Sequence, residues 1–347
     1  MAYSNIEKPA LFIPAFEYLQ SIGMVEYQDN ELNDIHFLNP AKTHKIKGDA
    51  DWWESEQIQH DISLNSFINY RDIADDDDYV DIFILGHNFH TTDCMLDIEM
   101  IDYDTGASVQ SLENLEILNT NGILSKPDYN GFSIIKAKYS IDKIGGFRII
   151  IRGFSAASNE EIKIGCVNLC TKWTPPHSPD LSVTMSREYD GVKTTKTKGG
   201  ATISNAQYTR GGSYWATSFY WELTTGDYDV GTAHQGRSRT LGRRNWSMNF
   251  SYLTPANLMP EYESQKFYGT EYDDDIDKNI QQSESFFSRV LNKVQGSHLP
   301  FIFMPNDTDS NYNPDQWAIV RFNQNNFKIT QAAPELYSLS VKLRESY

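Results

Sequence analysis

The sequence predicts a mainly β protein, in which an antiparallel β-sandwich is followed by a second β-rich domain with one amphipathic helix. Three observations support this fold class. Aromatic residues, which pack well on pleated sheets, make up 13% of the 347 residues. Between residues 61 and 173, short apolar segments alternate with turn-forming residues about every ten positions, as in antiparallel sandwiches. The segment 283–296 changes to a helical period.

The clearest strands of the predicted sandwich are rich in β-branched residues, and several alternate apolar with polar side chains. Leu96, Ile98 and Met100 would face one side of their strand, which is the pattern of a strand that is buried on one face. The four segments are 80–86, 96–101, 147–152 and 162–167.

The chain is predicted to have four parts. Residues 1–60 combine three prolines with short apolar patches and show no regular period, so we expect an irregular N-terminal leader that packs on the following domain or on a neighbouring subunit. Residues 61–173 form the sandwich. Residues 174–179 contain three prolines and form a semi-rigid linker, with an edge loop inside one larger domain as the alternative. Residues 180–347 form the second β domain.

The second domain is predicted to contain hairpins, one helix and a closing strand. The Gly- and Thr-rich stretch through Gly191, Gly199, Gly200, Gly211 and Gly212 is typical of hairpins with long loops. The helix near 283–296 would be capped by a serine before it and by Gly296 after it. One face of this helix would carry Phe286, Phe287, Val290, Leu291 and Val294. A final strand is expected at 337–344, where apolar and polar residues alternate.

The charge balance excludes some classes of partner. The chain has 30 Lys and Arg against 47 Asp and Glu, which gives a formal net charge of -17. Such a surface repels phosphate backbones and anionic lipid, so we expect no nucleic-acid partner. The sequence contains neither a signal-peptide pattern nor a long apolar run, so we also expect no membrane insertion.

The cysteines give no sign of a disulfide framework or a zinc site. The chain has three cysteines, Cys94, Cys166 and Cys170. An odd number does not suit a disulfide framework, and their spacings match neither a disulfide framework nor a zinc site. Cys166 and Cys170 lie in an apolar stretch, where cysteine behaves as a small hydrophobic residue. We interpret all three as buried thiols.

Two acidic runs and one histidine pair are candidate metal ligands. The four consecutive aspartates at 75–78 could offer oxygen ligands to Ca²⁺, but they lack the interleaved spacing of an EF-hand loop, which favours a solvated turn. The aspartates within 273–277 favour a mobile loop for the same reason. His87 and His90 lie at a strand end, and the sequence fixes no further ligand beside them, so strand capping is favoured. We therefore predict no metal site.

A basic cluster is the densest positive stretch in this acidic chain. It consists of Arg237, Arg239, Arg243 and Arg244. Copies of an acidic protein that pack in a ring need local charge complementarity at their subunit interfaces. We therefore consider these arginines a possible subunit contact. A solvated loop is the alternative.

The sequence contains none of the common catalytic motifs. It has no Gly-x-Ser-x-Gly elbow, phosphate loop, His-Glu-x-x-His motif or dinucleotide-binding glycine motif. We therefore expect no enzymatic activity and no cofactor. Two alternatives stay open: a pair of glycosidase carboxylates, because such pairing is spatial, and exposed aromatic rings that stack on sugars.

Two groups of segments resemble phage proteins. The segments 80–89, 146–152 and 163–169 are similar to strands of the discoidin-like (galactose-binding-like) jelly roll that many phage virion proteins contain. The C-terminal half is similar to phage minor tail and distal tail proteins. Its motif residues are Arg244 and Trp246 before the helix, then Leu299, Pro300 and Phe301, then Arg321 and Phe322, and finally Glu345 in the closing strand.

The resemblance implies a structural virion protein of a tailed bacteriophage, made in the host cytoplasm and located in the tail tip or baseplate. It further implies assembly with other tail proteins, as a homo-oligomeric ring, through protein–protein contacts. The alternative is a module that binds a host receptor or surface polysaccharide through the β-sandwich, so a host glycan is a further possible partner.

Overall fold

Antiparallel β-sheets dominate the structure, and helices are few. This confirms the mainly β fold class and fits a β-sandwich, whereas the discoidin-like jelly roll stays a prediction. A computed structural model describes residues 6–21, 35, 37–40, 42, 44–46, 56–60, 79–90, 92, 94–102, 108–109, 116–117, 131–138, 144–152, 162–188, 192–206, 243–261, 283–307 and 317–346.

The described part of the chain contains nineteen strands, two short α-helices and one π-helical turn. The strands are β1 (Ala10–Pro14), β2 (His44–Ile46), β3 (Glu56–His60), β4 (Tyr79–Leu85), β5 (Met95–Asp102), β6 (Ser108–Val109), β7 (Glu116–Ile117), β8 (Phe132–Lys138), β9 (Ile144–Arg152), β10 (Ile162–Ile164), β11 (Cys166–Trp173), β12 (Thr184–Glu188), β13 (Val192–Lys196), β14 (Thr202–Ala206), β15 (Arg243–Leu253), β16 (Phe301–Met304), β17 (Ala318–Phe322), β18 (Ile329–Ala333) and β19 (Leu336–Glu345). The helical segments are α1 (Ala15–Ser21), α2 (Pro255–Leu258) and the π-helical turn Phe287–Leu291.

One large sheet connects strands from both sides of the predicted linker. Its order is β12-β15-β19-β17-β16-β1-β11-β4-β8-β7, and β18 also pairs with β19. Three smaller sheets are β10-β2, β13-β14 and β3-β9-β5-β6. The domain limits 61–173 and 180–347 stay a prediction, and the strand that joins the two halves in this sheet is β1.

Strand β1 corrects the expectation of an irregular leader. All five of its residues are buried, and it pairs with a strand on each side: Leu11 lies opposite Trp173 in β11 and opposite Phe303 in β16. A central strand buried on both faces is a continuous apolar run, so it lacks the alternation that identifies a strand in sequence. Pro9 and Pro14 at the two ends of the segment also argue against a central strand in the sequence, because proline cannot donate a backbone hydrogen bond.

Alternate residues of the central strands contribute to two cores, one on each face of the sheet. From β1, Leu11 and Ile13 enter a C-terminal core, whereas Ala10 and Phe12 enter a mixed core. The C-terminal core also includes Trp246, Met248, Phe250, Phe286, Val290, Phe301, Phe303, Val320, Phe322, Leu339, Val341 and Leu343. The mixed core joins both halves of the chain through Phe83, Leu85, Phe132, Ile134, Cys166, Cys170, Ile302, Met304, Trp317 and Ile319. The two halves therefore share their apolar interiors.

The predicted helix near 283–296 is present as a helical segment with π geometry. The backbone N–H of Asn292 bonds to the carbonyl of Phe287, five residues earlier, at 2.8 Å. Of the predicted apolar face, Phe286, Val290 and Val294 are buried in the C-terminal core and Leu291 packs against it. Phe287, which was predicted on the same face, is half-buried. Gly296 follows with a φ of 70°, a left-handed conformation that suits glycine at a helix end. None of the described helices is long and apolar enough to cross a membrane.

Candidate interaction surface and buried polar groups

The predicted arginine cluster is only partly described. Arg237 and Arg239 lie outside the described residues, whereas Arg243 and Arg244 begin strand β15. The guanidinium of Arg244 is bound within the chain: its Nη2 donates to Oε1 of Glu345 at 2.8 Å and to the carbonyl of Trp317 at 2.8 Å. A subunit contact through this cluster stays a prediction, and Arg244 has an internal partner.

The ion pair between Arg244 and Glu345 is buried and reinforced by the backbone. The Glu345 side chain is 5% exposed and that of Arg244 is 16% exposed. The second carboxylate oxygen of Glu345 accepts the backbone N–H of Arg244 at 2.9 Å, and the Arg244 guanidinium lies 5.2 Å from the ring of Trp246. Both carboxylate oxygens are therefore occupied, as a buried charge requires. This pair fixes the ends of β15 and β19, which are adjacent in the sheet.

The structure brings together the motif residues that carry the resemblance to phage tail proteins. Phe301 and Phe322 have ring centroids 4.9 Å apart, and the ring of Trp246 lies 5.1 Å from that of Phe303. With the Arg244–Glu345 pair, these residues link strands β15, β16, β17 and β19. The motifs thus have a structural role in the C-terminal core.

The two histidines of the candidate pair lie in different surroundings. His87 is fully buried, with Nε2 at 2.8 Å from the hydroxyl of Ser133 and Nδ1 at 3.4 Å from the backbone N–H of Phe89, whereas His90 is exposed. Burial lowers the pKa of His87 to about 3. Asn88 caps the strand end, because its side-chain oxygen accepts the backbone N–H of Lys163 at 2.8 Å.

The cysteines are free and buried, as predicted. Burial raises the pKa of the Cys166 thiol above its usual range; the charge of Glu17 adds to this rise, and the backbone N–H of Asn39 opposes it. The acidic runs 75–78 and 273–277 lie outside the described residues. Within the described part of the chain, no group of three or more His, Cys, Asp or Glu side chains is placed to hold a metal ion.

Glu17 is a buried carboxyl that sequence analysis did not identify. It is 4% exposed on α1, and its Oε1 accepts the backbone N–H of Leu38 at 2.6 Å. Its Oε2 has no hydrogen-bond partner among the described residues. Burial raises the pKa of Glu17 to about 7, although the Leu38 N–H and the charge of Arg321 act in the opposite direction. Glu17 thus holds the segment 37–40 against the mixed core.

We expect the Glu17→Gln variant to be more stable than the wild type at pH 8. Between pH 4.5 and about 7 the folded chain keeps a proton on Glu17 that the unfolded chain loses, so the free energy of unfolding decreases as the pH rises. This decrease amounts to about 3 kcal/mol, and glutamine avoids it while it retains the oxygen that accepts the Leu38 N–H. Urea denaturation should therefore show a gain of about 3 kcal/mol at pH 8 and less than about 1 kcal/mol at pH 4.5. The exposed Glu7→Gln variant is the control, and an equal gain at both pH values would contradict the prediction.

An exposed sheet edge lies beside the buried pair. Strand β12 pairs with β15 and is the last strand of the large sheet in the described part of the chain. All five of its residues are exposed, Met185 by 36%, and Leu181 just before it is fully exposed. A sheet edge presents backbone N–H and C=O groups that can pair with another chain.

The comparisons with known proteins give no identification. No family model matches the chain, and neither the curated proteins nor the solved structures contain a match. The similarity to phage tail proteins therefore depends on the motif residues named above and stays a prediction.

Proposed function

We propose that this protein is a structural component of the tail tip or baseplate of a tailed bacteriophage. In this proposal it acts through contacts with other tail proteins and with copies of itself in a ring, and it has no enzymatic activity. The resemblance of its C-terminal motifs to minor tail and distal tail proteins supports the particle type. The exposed edge strand β12 supports the mode of action.

The main support for the proposal is the exposure of the edge strand β12. The residues of β12 are exposed, and the apolar side chains of Leu181 and Met185 lie on this edge together with the charged Arg187 and Glu188. An edge strand presents backbone N–H and C=O groups, and with exposed apolar side chains it can pair with another chain. Pairing with a neighbouring chain would satisfy those groups and remove the apolar side chains from water. Assembly of identical or related subunits provides such a neighbour.

We expect the purified protein to form a closed oligomer in native mass spectrometry and negative-stain electron microscopy. A Met185→Lys variant replaces an apolar side chain of the edge by a further charge and should weaken self-association at least about tenfold, because added charge on an edge strand opposes strand pairing. Asn323→Lys, on an exposed loop, adds the same charge elsewhere and should have no effect. A persistent monomer that binds host glycans on an array would instead support the polysaccharide-binding alternative.

A further inference from the structure

A second exposed feature is the hairpin β13–β14, which forms a sheet of its own. Its register joins Val192 to Ala206 and Lys196 to Thr202. The turn is closed by the backbone N–H of Thr197, which donates to the carbonyl of Ala201 at 2.8 Å. Gly200 has a φ of 86°, which this turn requires and which glycine adopts without strain. The hairpin is therefore well formed locally, as the glycine and threonine pattern predicts.

The hairpin has almost no support from the rest of the described chain. Every residue from 192 to 205 is exposed, including the large apolar side chains of Val192 at 46% and Ile203 at 57%. Among the described strands, β13 and β14 pair with each other alone. A two-stranded hairpin by itself is at best marginally stable in water. A partner that covers one face would stabilise it.

The charge of the hairpin identifies the chemistry of this partner. Residues 192–206 carry three lysines, Lys193, Lys196 and Lys198, and no carboxylate, whereas the whole chain has 47 acidic against 30 basic residues. In the described part of the chain no carboxylate pairs with these lysines. Lys193 and Lys196 lie on opposite faces of the hairpin, because side chains alternate between the two faces along a strand and these residues are three positions apart. The hairpin is a basic projection from an acidic molecule.

We propose that the hairpin β13–β14 is an arm that docks on the acidic surface of a second copy of this chain. The inference rests on the proposed function, since a ring requires two different surfaces that meet head to tail. The basic arm supplies one surface, and the acidic excess of the neighbouring copy supplies the other. Val192 or Ile203 becomes buried on whichever face of the arm meets the neighbour, and the lysines guide the approach.

The test is charge reversal on the arm, with sedimentation velocity and native mass spectrometry as the measurements. The arm variant combines Lys193→Glu, Lys196→Glu and Lys198→Glu. The control variant combines Lys8→Glu, Lys328→Glu and Lys342→Glu, which are exposed lysines outside the hairpin and change the net charge equally. The arm variant should self-associate at least about tenfold more weakly than the control variant. Raising NaCl from about 0.05 M to about 0.5 M should weaken the wild type and leave the arm variant less affected.

The possible results distinguish docking through the hairpin from self-association in general. Equal self-association of the arm and control variants would contradict docking through the hairpin, but it would not contradict assembly as a ring. A wild-type protein that is monomeric under all conditions would contradict both self-assembly and docking through the hairpin. If charge reversal abolishes binding to a DNA duplex and leaves self-association unchanged, the arm is a nucleic-acid contact and the proposal is wrong. An unchanged circular dichroism spectrum and melting temperature show that the variants are folded.

Discussion

Replacement of Glu345 by glutamine is expected to lower the free energy of unfolding by about 4 kcal/mol. The substitution preserves shape but removes the Glu345 charge beside the largely buried Arg244 guanidinium. It also turns an oxygen that accepts the Arg244 backbone N–H into an amide that competes as a donor. Breaking one side of a buried ion pair is costly because the remaining charge stays desolvated. Chemical denaturation followed by tryptophan fluorescence measures the loss, since Trp246 lies against the pair.

A matched control and a double variant test the physical cause. Glu188→Gln removes a carboxylate that lies 3.0 Å from the Arg344 guanidinium. The Glu188 side chain is 49% exposed and that of Arg344 is 33% exposed, so the expected loss is below about 1 kcal/mol. The double variant Arg244→Met with Glu345→Leu removes both charges and should lose clearly less than the sum of its single variants. Additive losses would mean that the ion pair contributes no coupling energy.

The pairing of Arg244 with Glu345 is not predictable from the sequence. The arginine cluster was identified by local charge density, and Glu345 was identified as a motif residue of the closing strand. Their pairing spans 101 positions and depends on strands β15 and β19 being neighbours in the sheet. No local pattern contains that information. The subunit contact through the arginine cluster stays a prediction, whereas the bond from Arg244 to Glu345 within the chain was not predicted.

The strands themselves were largely predictable where one face is buried. The closing strand alternates as expected, because Leu339, Val341 and Leu343 are buried while Lys342 is exposed. Strand β1 was missed because it is buried on both faces. The predicted strand at 162–167 is divided into β10 and β11, which belong to different sheets. Gly165 lies between them, and a single apolar run in the sequence gives no sign of this change of partner.

Buried polar groups were the least predictable features. Glu17 lies on a short helix in a segment expected to be irregular. Asn168 is fully buried on β11 opposite Phe83, and neither atom of its amide group has a hydrogen-bond partner among the described residues. Sequence reasoning places such residues on surfaces, because burial without partners costs about 1–3 kcal/mol. The tertiary packing of the mixed core overrides that preference.

At Gly165 two segments of backbone approach each other closely. A Cβ atom at Gly165 would lie 2.3 Å from the carbonyl oxygen of Pro40, 2.7 Å from its Cα and 2.9 Å from the carbonyl oxygen of Leu85. A Cβ at Gly86 would lie 2.4 Å from the same Pro40 oxygen. The two glycines thus form the surface on which the segment 37–40 rests. This segment covers Cys166 and brings the Leu38 N–H to Glu17.

The Gly165→Ala variant should lose about 4 kcal/mol of unfolding free energy, which exceeds the usual cost of overpacking, because no side chain can rotate to relieve contacts between backbone atoms. Gly199→Ala is the control: its Cβ would meet just the Thr197 hydroxyl oxygen, at 4.0 Å, so a change within about 0.5 kcal/mol is expected. If the variant folds by releasing the segment 37–40, Cys166 becomes accessible, and mass spectrometry should show it modified by a thiol reagent at least about tenfold faster than in the wild type. Wild-type stability together with wild-type protection of Cys166 would show that the chain tolerates a methyl group here, contrary to the close approach of Pro40.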